Sequence, residues 1–359
     1  MLLALGACNN HPPFSNGIDS QAQLLAIQRS SSGHAQTMAA ALFAAGIDIC
    51  KQSLVPCPKK FVSAPLEKKA DIILLPFANN APDLLQFFAD MLDAINIEKV
   101  IAVSAAGNNS AKASDYFPGS APGIINVGAL NEKGRRSSFS NWGPAVDILA
   151  PGENIKFNYP SLTKTAAGTS ISAAFVAGGL SLMKSLNPLL TWKEALYYLT
   201  SSATQVKCED YCLDENTDED TIGCNDLCCG SPSCGALAFD LAEALKRAQT
   251  KENTHGLLEI DRSYIIFTRN FSKPKKLIVH NVASKQTEVE TLIYDNNITV
   301  NPAYFQLSPN NSPNDHIIID ISFNKEPFKR QTSKIEFIIK EGSTIIDRSE
   351  VFIEYIPKT

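Results

Sequence analysis

Three short runs constrain this 359-residue chain more than any other feature: ADIILLPF (70–77), KVIAVSAAG (99–107) and GIINVGAL (123–130). Each is apolar at consecutive rather than alternate positions, which is what a strand buried on both faces requires. Helical segments lie around them. HAQTMAAALFAAG (34–46) is rich in Ala, lacks Pro and stops on Gly. PDLLQFFADMLDAI (82–95) has helical periodicity behind an N-terminal Pro. SISAAFVAGGLSLMKSL (170–186) is apolar nearly all round and predicts a buried helix. TWKEALYYLTSSA (191–203) opens on Thr with Glu three residues on, the signature of a capping box. Strands alternating with helices predict a parallel sheet covered on both faces.

After about residue 255 the grammar changes. SYIIFT, KLIVH, EVETLIY, HIIIDISF, KIEFIIK and VFIEYI are short β-branched and aromatic runs punctuated by Pro, Asn, Gly and Ser. They predict an antiparallel sandwich of roughly seven strands. The chain therefore divides into an α/β domain at 31–250 and a β-sandwich at 255–359, behind a segment 1–30 that is a leader or a degenerate first strand with a linker. The length suits two cores.

A net charge of −5 argues against a nucleic-acid partner, which would need a basic stripe. Of nine cysteines, six (Cys208, Cys212, Cys224, Cys228, Cys229 and Cys234) crowd an acidic insert at 205–235. Cys50 and Cys57 form a second group and Cys8 stands apart. Disulfides in an oxidising, extracytoplasmic compartment are favoured over zinc, because the insert has no histidine and lacks paired Cys-x2-Cys knuckles. LGAC (5–8) resembles the lipobox of bacterial lipoproteins, which implies membrane anchoring through a lipidated Cys8 and leaves eight cysteines to pair. It has no basic n-region, and its apolar stretch is short for a signal.

In AAGTSISAAFVAGG (166–179) a serine sits at the mouth of the small-residue helix. A hydroxyl attacks a carbonyl only with a base to take its proton and donors aimed at the oxyanion. At a helix N-terminus Ser170 has orphan backbone N–H groups and the positive end of the dipole beside it. Asn108, in SAAGNNS (104–110), follows a buried strand at the end where parallel sheets bind ligands. His34 opens a helix in SGHAQTMAAAL (32–42) and is one of five histidines. Taken singly, these are an N-cap serine, a turn asparagine and a capping histidine.

Together they resemble the subtilisin-like (S8) serine peptidases over roughly residues 30–250. GTSISAAFVAG is similar to that family's Gly-Thr-Ser-Met-Ala-x-Pro-x-Val-Ala-Gly block, with Ile171, Ala174 and Phe175 in place of Met, Pro and His. AAGN is similar to the oxyanion-hole block, and GHAQTMA to the His-Gly-Thr-x-Val-Ala block, with Ala35 and Gln36 substituted. GIINVGALNEKGRRSSFSNWGPAVDILAPGENI (123–155) follows the family from Val-Gly-Ala to Ala-Pro-Gly, and GALAFDLAEAL (235–245) resembles its closing segment. The order His, Asn, Ser agrees as well. The resemblance implies a subtilisin-like α/β fold and hydrolysis of protein or peptide substrates without a required cofactor. It implies Ser170 as nucleophile, His34 as base, and the Asn108 amide with the Ser170 N–H at the oxyanion.

The chain departs from the family at two points, the aspartate and the substrate edge. Asp19 lies only 15 positions before His34, about half the family's usual spacing for its aspartate, and NNHPPF (9–14) before it is no strand. Aligning NNHPPF with the family's His-Pro stretch leaves no acid at that position. LLPFANN (74–80) stands where the family carries a Ser-Leu-Gly substrate edge. An active enzyme, a slow one and a peptide-binding pseudoprotease all remain open. DENTDED (214–220) sets Asp214, Asn216, Asp218 and Asp220 at alternate positions, as a structural Ca²⁺ loop would. Glu219 takes the place of the turn glycine and Asn225 that of the closing Glu, so a solvated acidic loop is favoured over calcium.

Overall fold

The structure is a computed structural model, describing residues 18–19, 21–25, 27, 34–47, 68–80, 85–143, 145–159, 162–206, 237–250, 257–260, 264–267, 274–282, 285–309, 312–325, 327 and 331–355. The chain separates into two compact units, Met1–Lys251 and Glu252–Thr359.

In the first unit α1 (His34–Ala44) precedes β1 (Ile72–Leu75) and β2 (Asn79–Asn80). Then come α2 (Leu85–Ile97), β3 (Ile101–Ala105), β4 (Tyr116–Phe117), β5 (Ile125–Leu130) and β6 (Ile148–Pro151). β7 (Ile155–Tyr159) and β8 (Leu162–Ala166) form a hairpin. After it come α3 (Thr169–Leu186), α4 (Trp192–Ser202), β9 (Thr204–Gln205), β10 (Leu237–Ala238) and α5 (Leu241–Thr250). The main sheet has the order β1-β3-β5-β6-β10-β9. Every neighbouring pair in it is parallel except the last.

The consecutive apolar residues of β3 serve two cores. Ala102 packs with Met38 and Leu42 of α1 and Phe88 and Leu92 of α2. Ile101 and Val103 pack with Val176 and Leu180 of α3, Tyr198 of α4 and Ala244 of α5. This period of two across a doubly covered sheet leaves no exposed face to carry polar residues. α3 is buried along most of its length because Gly178 and Gly179 let neighbours approach. A Cβ at Gly178 would stand 2.7 Å from Ile18 Cβ, and one at Gly179 2.8 Å from Phe239 Cζ. The capping box forms at α4: Glu194 N–H donates to Thr191 Oγ1 (3.3 Å) and Thr191 N–H to Glu194 Oε2 (3.0 Å).

In the second unit one sheet holds β11 (Leu258–Ile260), β13 (Lys275–Asn281), β17 (His316–Phe323) and β15 (Ile298–Asn301), in that order. The other holds β12 (Tyr264–Phe267), β19 (Thr344–Tyr355), β18 (Gln331–Glu341), β14 (Thr287–Ile293) and β16 (Tyr304–Leu307). Their inward residues make one apolar core that includes Leu277, Val279, Ile319, Ile321, Phe337 and Ile353. Two details differ from the expected pattern. Nine strands occur among the described residues rather than about seven, since β11, with three residues, and β15 and β16, with four each on either side of Pro302, are too short to read. β12 also runs parallel to β19, so the sandwich is antiparallel at every pair but one.

Candidate active site

The loop after β3 carries Asn108 and is fixed from two sides. Asn141, fully buried, donates its amide to Ala106 O (2.9 Å) and accepts at Oδ1 from Asn109 N–H (2.9 Å) and Ala111 N–H (3.1 Å). Its own backbone N–H donates to Gly107 O at 2.9 Å. Gly107 sits at φ +107°, and a Cβ there would stand 2.3 Å from Asn141 Nδ2, so both space and conformation require glycine.

The second side is the start of α3. Gly168, at φ +144°, is its N-cap and supplies no capping side chain. Capping is done by Asn108, whose Oδ1 accepts from Thr169 N–H (2.9 Å) and Thr169 Oγ1–H (2.9 Å). Thr169 Oγ1 in turn accepts from Gly107 N–H at 3.2 Å. Two donors at Oδ1 fix which end of the amide is oxygen, which leaves the Asn108 NH₂ turned away from them. A Cβ on Gly168 would lie 3.3 Å from Ser170 Oγ and 3.4 Å from Asn108 Nδ2. Alcohol and amide therefore border one point in space, which a side chain at position 168 would fill. Ser170 is half-buried and Asn108 exposed, so the point is open to a ligand. In the first turn of α3, Thr169 N–H is taken by Asn108 Oδ1 and Ile171 N–H by Gly168 O (3.0 Å), so the Ser170 N–H is the first-turn donor left for a ligand there.

The subtilase family profile (peptidase S8) matches residues 3–226. The chain belongs to the subtilase family. Proteinase R of Parengyodontium album is 38% identical over 115 residues, 31% of this chain and 30% of that protein. Subtilisin BL of Lederbergia lenta is 35% identical over 108 residues, 30% of this chain and 40% of that protein. The chain thus spans well under half the length of these relatives. Among solved structures, a protease from Pseudoalteromonas arctica aligns with a TM-score of 0.49 at 20% identity, covering 65% of each chain.

Elsewhere in this subtilase, Asp19 is occupied away from Ser170. It is buried, with Oδ1 accepting from Gln21 N–H (2.9 Å) and Oδ2 from Ser181 Oγ–H (2.6 Å). Ser181 lies eleven residues along α3 from Ser170, about 16 Å at the helical rise. Asp19 thus anchors the N-terminal segment to the middle of α3. His34 is the first residue of α1, and its side chain lies outside the described residues. So do Asp214, Asn216, Asp218, Asp220 and the nine cysteines. LLPFANN places Asn79 and Asn80 in β2, paired antiparallel with Phe117 and Tyr116 of β4.

Two further residues organise the site. Thr169 orients the Asn108 amide, and Asn141 braces the loop. Both sit inside family-like stretches, GTS and SFSNWGP, but a polar residue in a motif gives no sign that it is buried. Gly152, in the APGEN stretch, couples the two parts: its N–H donates to Leu130 O and its carbonyl accepts from Gly168 N–H (2.9 and 2.8 Å).

Proposed function

We propose that this subtilase hydrolyses peptide bonds through an acyl-enzyme on Ser170. The Ser170 oxygen attacks the scissile carbonyl, and the His34 imidazole takes its proton and returns it to the leaving amine. Water then cleaves the ester. The Asn108 amide and the Ser170 N–H donate to the oxyanion in both tetrahedral steps. The observation that carries this reading is the convergence of Ser170 Oγ and Asn108 Nδ2 around Gly168, with Thr169 fixing the amide's orientation. The reaction requires no cofactor, and a Ca²⁺ held by Asp214, Asn216, Asp218 and Asp220 would be structural.

A second reading, a peptide-binding protein on an inert peptidase fold, is favoured by the engagement of Asp19 with Ser181 rather than with the site. A fluorophosphonate probe separates the two. Labelling of the folded chain that is lost in Ser170→Ala supports the hydrolase. Absence of labelling supports the binding protein. Comparing peptide with ester substrates then distinguishes peptidase from esterase.

The placement we propose is extracytoplasmic, resting on the crowding of cysteines. Thiol counting under denaturation tests it, with eight free thiols against it. Anchoring through Cys8 predicts release from membranes in Cys8→Ser.

A further inference from the structure

We propose that the C-terminal unit carries a divalent transition-metal site built from His280, His316 and Asp315. Their ligand atoms all lie within 4.8 Å of one another. An ion at the centre of a triangle of that side is about 2.8 Å from each corner, so each donor closes by under about 1 Å to reach zinc-ligand distances of roughly 2.0–2.2 Å.

The sheet presets this geometry. His280 of β13 stands directly opposite His316 of β17. The neighbouring pair is joined by Asn281 N–H donating to Asp315 O at 2.8 Å. That bond makes 281/315 a hydrogen-bonded pair and 280/316 a non-hydrogen-bonded one, the kind whose side chains stand closer. The two imidazoles face outward in parallel, with centroids 5.2 Å apart and planes at 29°. Their strand neighbours Leu277, Val279, Ile319 and Ile321 are buried in the core, so the backbone beneath the imidazoles is rigid.

Asp315 is held as firmly. Its N–H donates to Ser312 O (3.2 Å), and Ser308 N–H donates to the adjoining Asn314 O (2.9 Å). Buried Asn281 donates its amide to Ser308 O at 2.9 Å and so ties this turn to β13. Asp315 Oδ1 lies 2.8 Å from His316 Nδ1. A carboxylate there either ligates directly or holds the Nδ1 proton and presents Nε2, and both arrangements favour a bound cation. A polar cleft lined by Gln286, Gln306, Ser308, Asn314 and His316 adjoins the site and gives solvent and ion access.

Two imidazoles with one carboxylate select a borderline ion such as Zn²⁺ over Ca²⁺ or Mg²⁺, which take oxygen ligands. An ion here would cross-link β13 to the turn before β17. Nothing in the proposal depends on peptidase activity.

The probe is Zn²⁺, titrated calorimetrically into the chelator-treated full chain at pH 7.5. The expected result is one equivalent in the wild type that His280→Ala/His316→Ala lacks, with each single change weakening it at least tenfold. Peptide-mapped diethyl pyrocarbonate labelling provides a readout without substitution: Zn²⁺ should protect His280 and His316 together. The proposal is overturned if the double variant binds the same number of equivalents as the wild type, if the wild type binds none at micromolar Zn²⁺, or if both histidines label equally with and without the ion.

Discussion

The two units bury polarity to different degrees. Along β3 and β5, in the 137–143 loop and at the start of α3 the first unit buries Ser104, Asn126, Ser140, Asn141 and Thr169. Each bonds to a partner: Ser104 Oγ to Asn126 Oδ1 (3.2 Å), for example, and Ala129 N–H to Ser140 Oγ (3.0 Å). The sandwich core is Ile, Val, Leu, Phe and Tyr355, and its one fully buried carboxylate among the described residues, Glu336, is met by Tyr294 Oη–H (2.9 Å), Lys334 Nζ (2.7 Å) and Arg348 Nε (3.4 Å). A backbone aimed at a ligand cannot close its hydrogen bonds within a sheet ladder, so buried side chains must close them instead. In the sandwich the ladders meet most backbone bonds, and fewer buried side chains are needed, such as Asn281 donating to Ser308 O and Ser349 Oγ–H to Leu258 O (both 2.9 Å). Precision of aim in the first unit is bought with polar groups that are costly when left unpaired, whereas the second unit is vulnerable mainly to cavities.

The largest effect should come from a cavity in the sandwich. Phe337→Ala removes a fully buried ring packed near Phe305. It should cost about 3–5 kcal/mol in the unfolding of the C-terminal unit, measured by denaturant titration. A cost under about 1 kcal/mol would break the contrast drawn above. In the first unit Asn141→Ala strands two N–H donors and a carbonyl, and should cost about 2–3 kcal/mol while also lowering the rate of any reaction at Ser170.

Asp147 sharpens the contrast through pH. Burial pushes its carboxyl up to about 7 from 3.8, against the opposing Asn126 N–H donation and the charge of Lys193. Its folded pKa lies above its unfolded one, so the folded state holds the proton more tightly. The contribution of Asp147 to stability is therefore complete below about pH 4 and is lost as pH rises towards 7. Asp147→Asn keeps an acceptor for Asn126 and removes the ionisation. It should be more stable than the wild type by about 4 kcal/mol at pH 8, with the gain vanishing near pH 4, as thermal melts across pH would record. The smallest effect belongs to the exposed sandwich pair Lys340–Glu290, where Lys340→Ala should change stability by under about 1 kcal/mol and less at high salt.

Much of the first unit was legible. β3 and β5 are apolar at all but one position each (Ser104 and Asn126), α3 is apolar nearly all round, and Thr191 and Glu194 spell out their own cap. In the site, Ser170 and Asn108 could be named because each follows a distinctive stretch. Asn141 and Thr169 could not, because polar residues normally lie outside and their burial exists only once β3, the 137–143 loop and α3 are assembled. Asp147 gave no hint of its shifted pKa for the same reason. In the second unit β15 and β16, four residues each around Pro302, carry too little pattern to register. The pairing of His280 with His316 depends on a strand register that neither segment encodes alone.

The central claim is that the Asn108 amide serves the oxygen that develops when Ser170 attacks. The most direct measurement is kcat and KM of Asn108→Ala on a peptide substrate cleaved by the wild type. The account predicts a fall in kcat of about 10²–10³, a figure that comes from subtilisin itself, with KM nearly unchanged. A kcat within threefold of the wild type would contradict it.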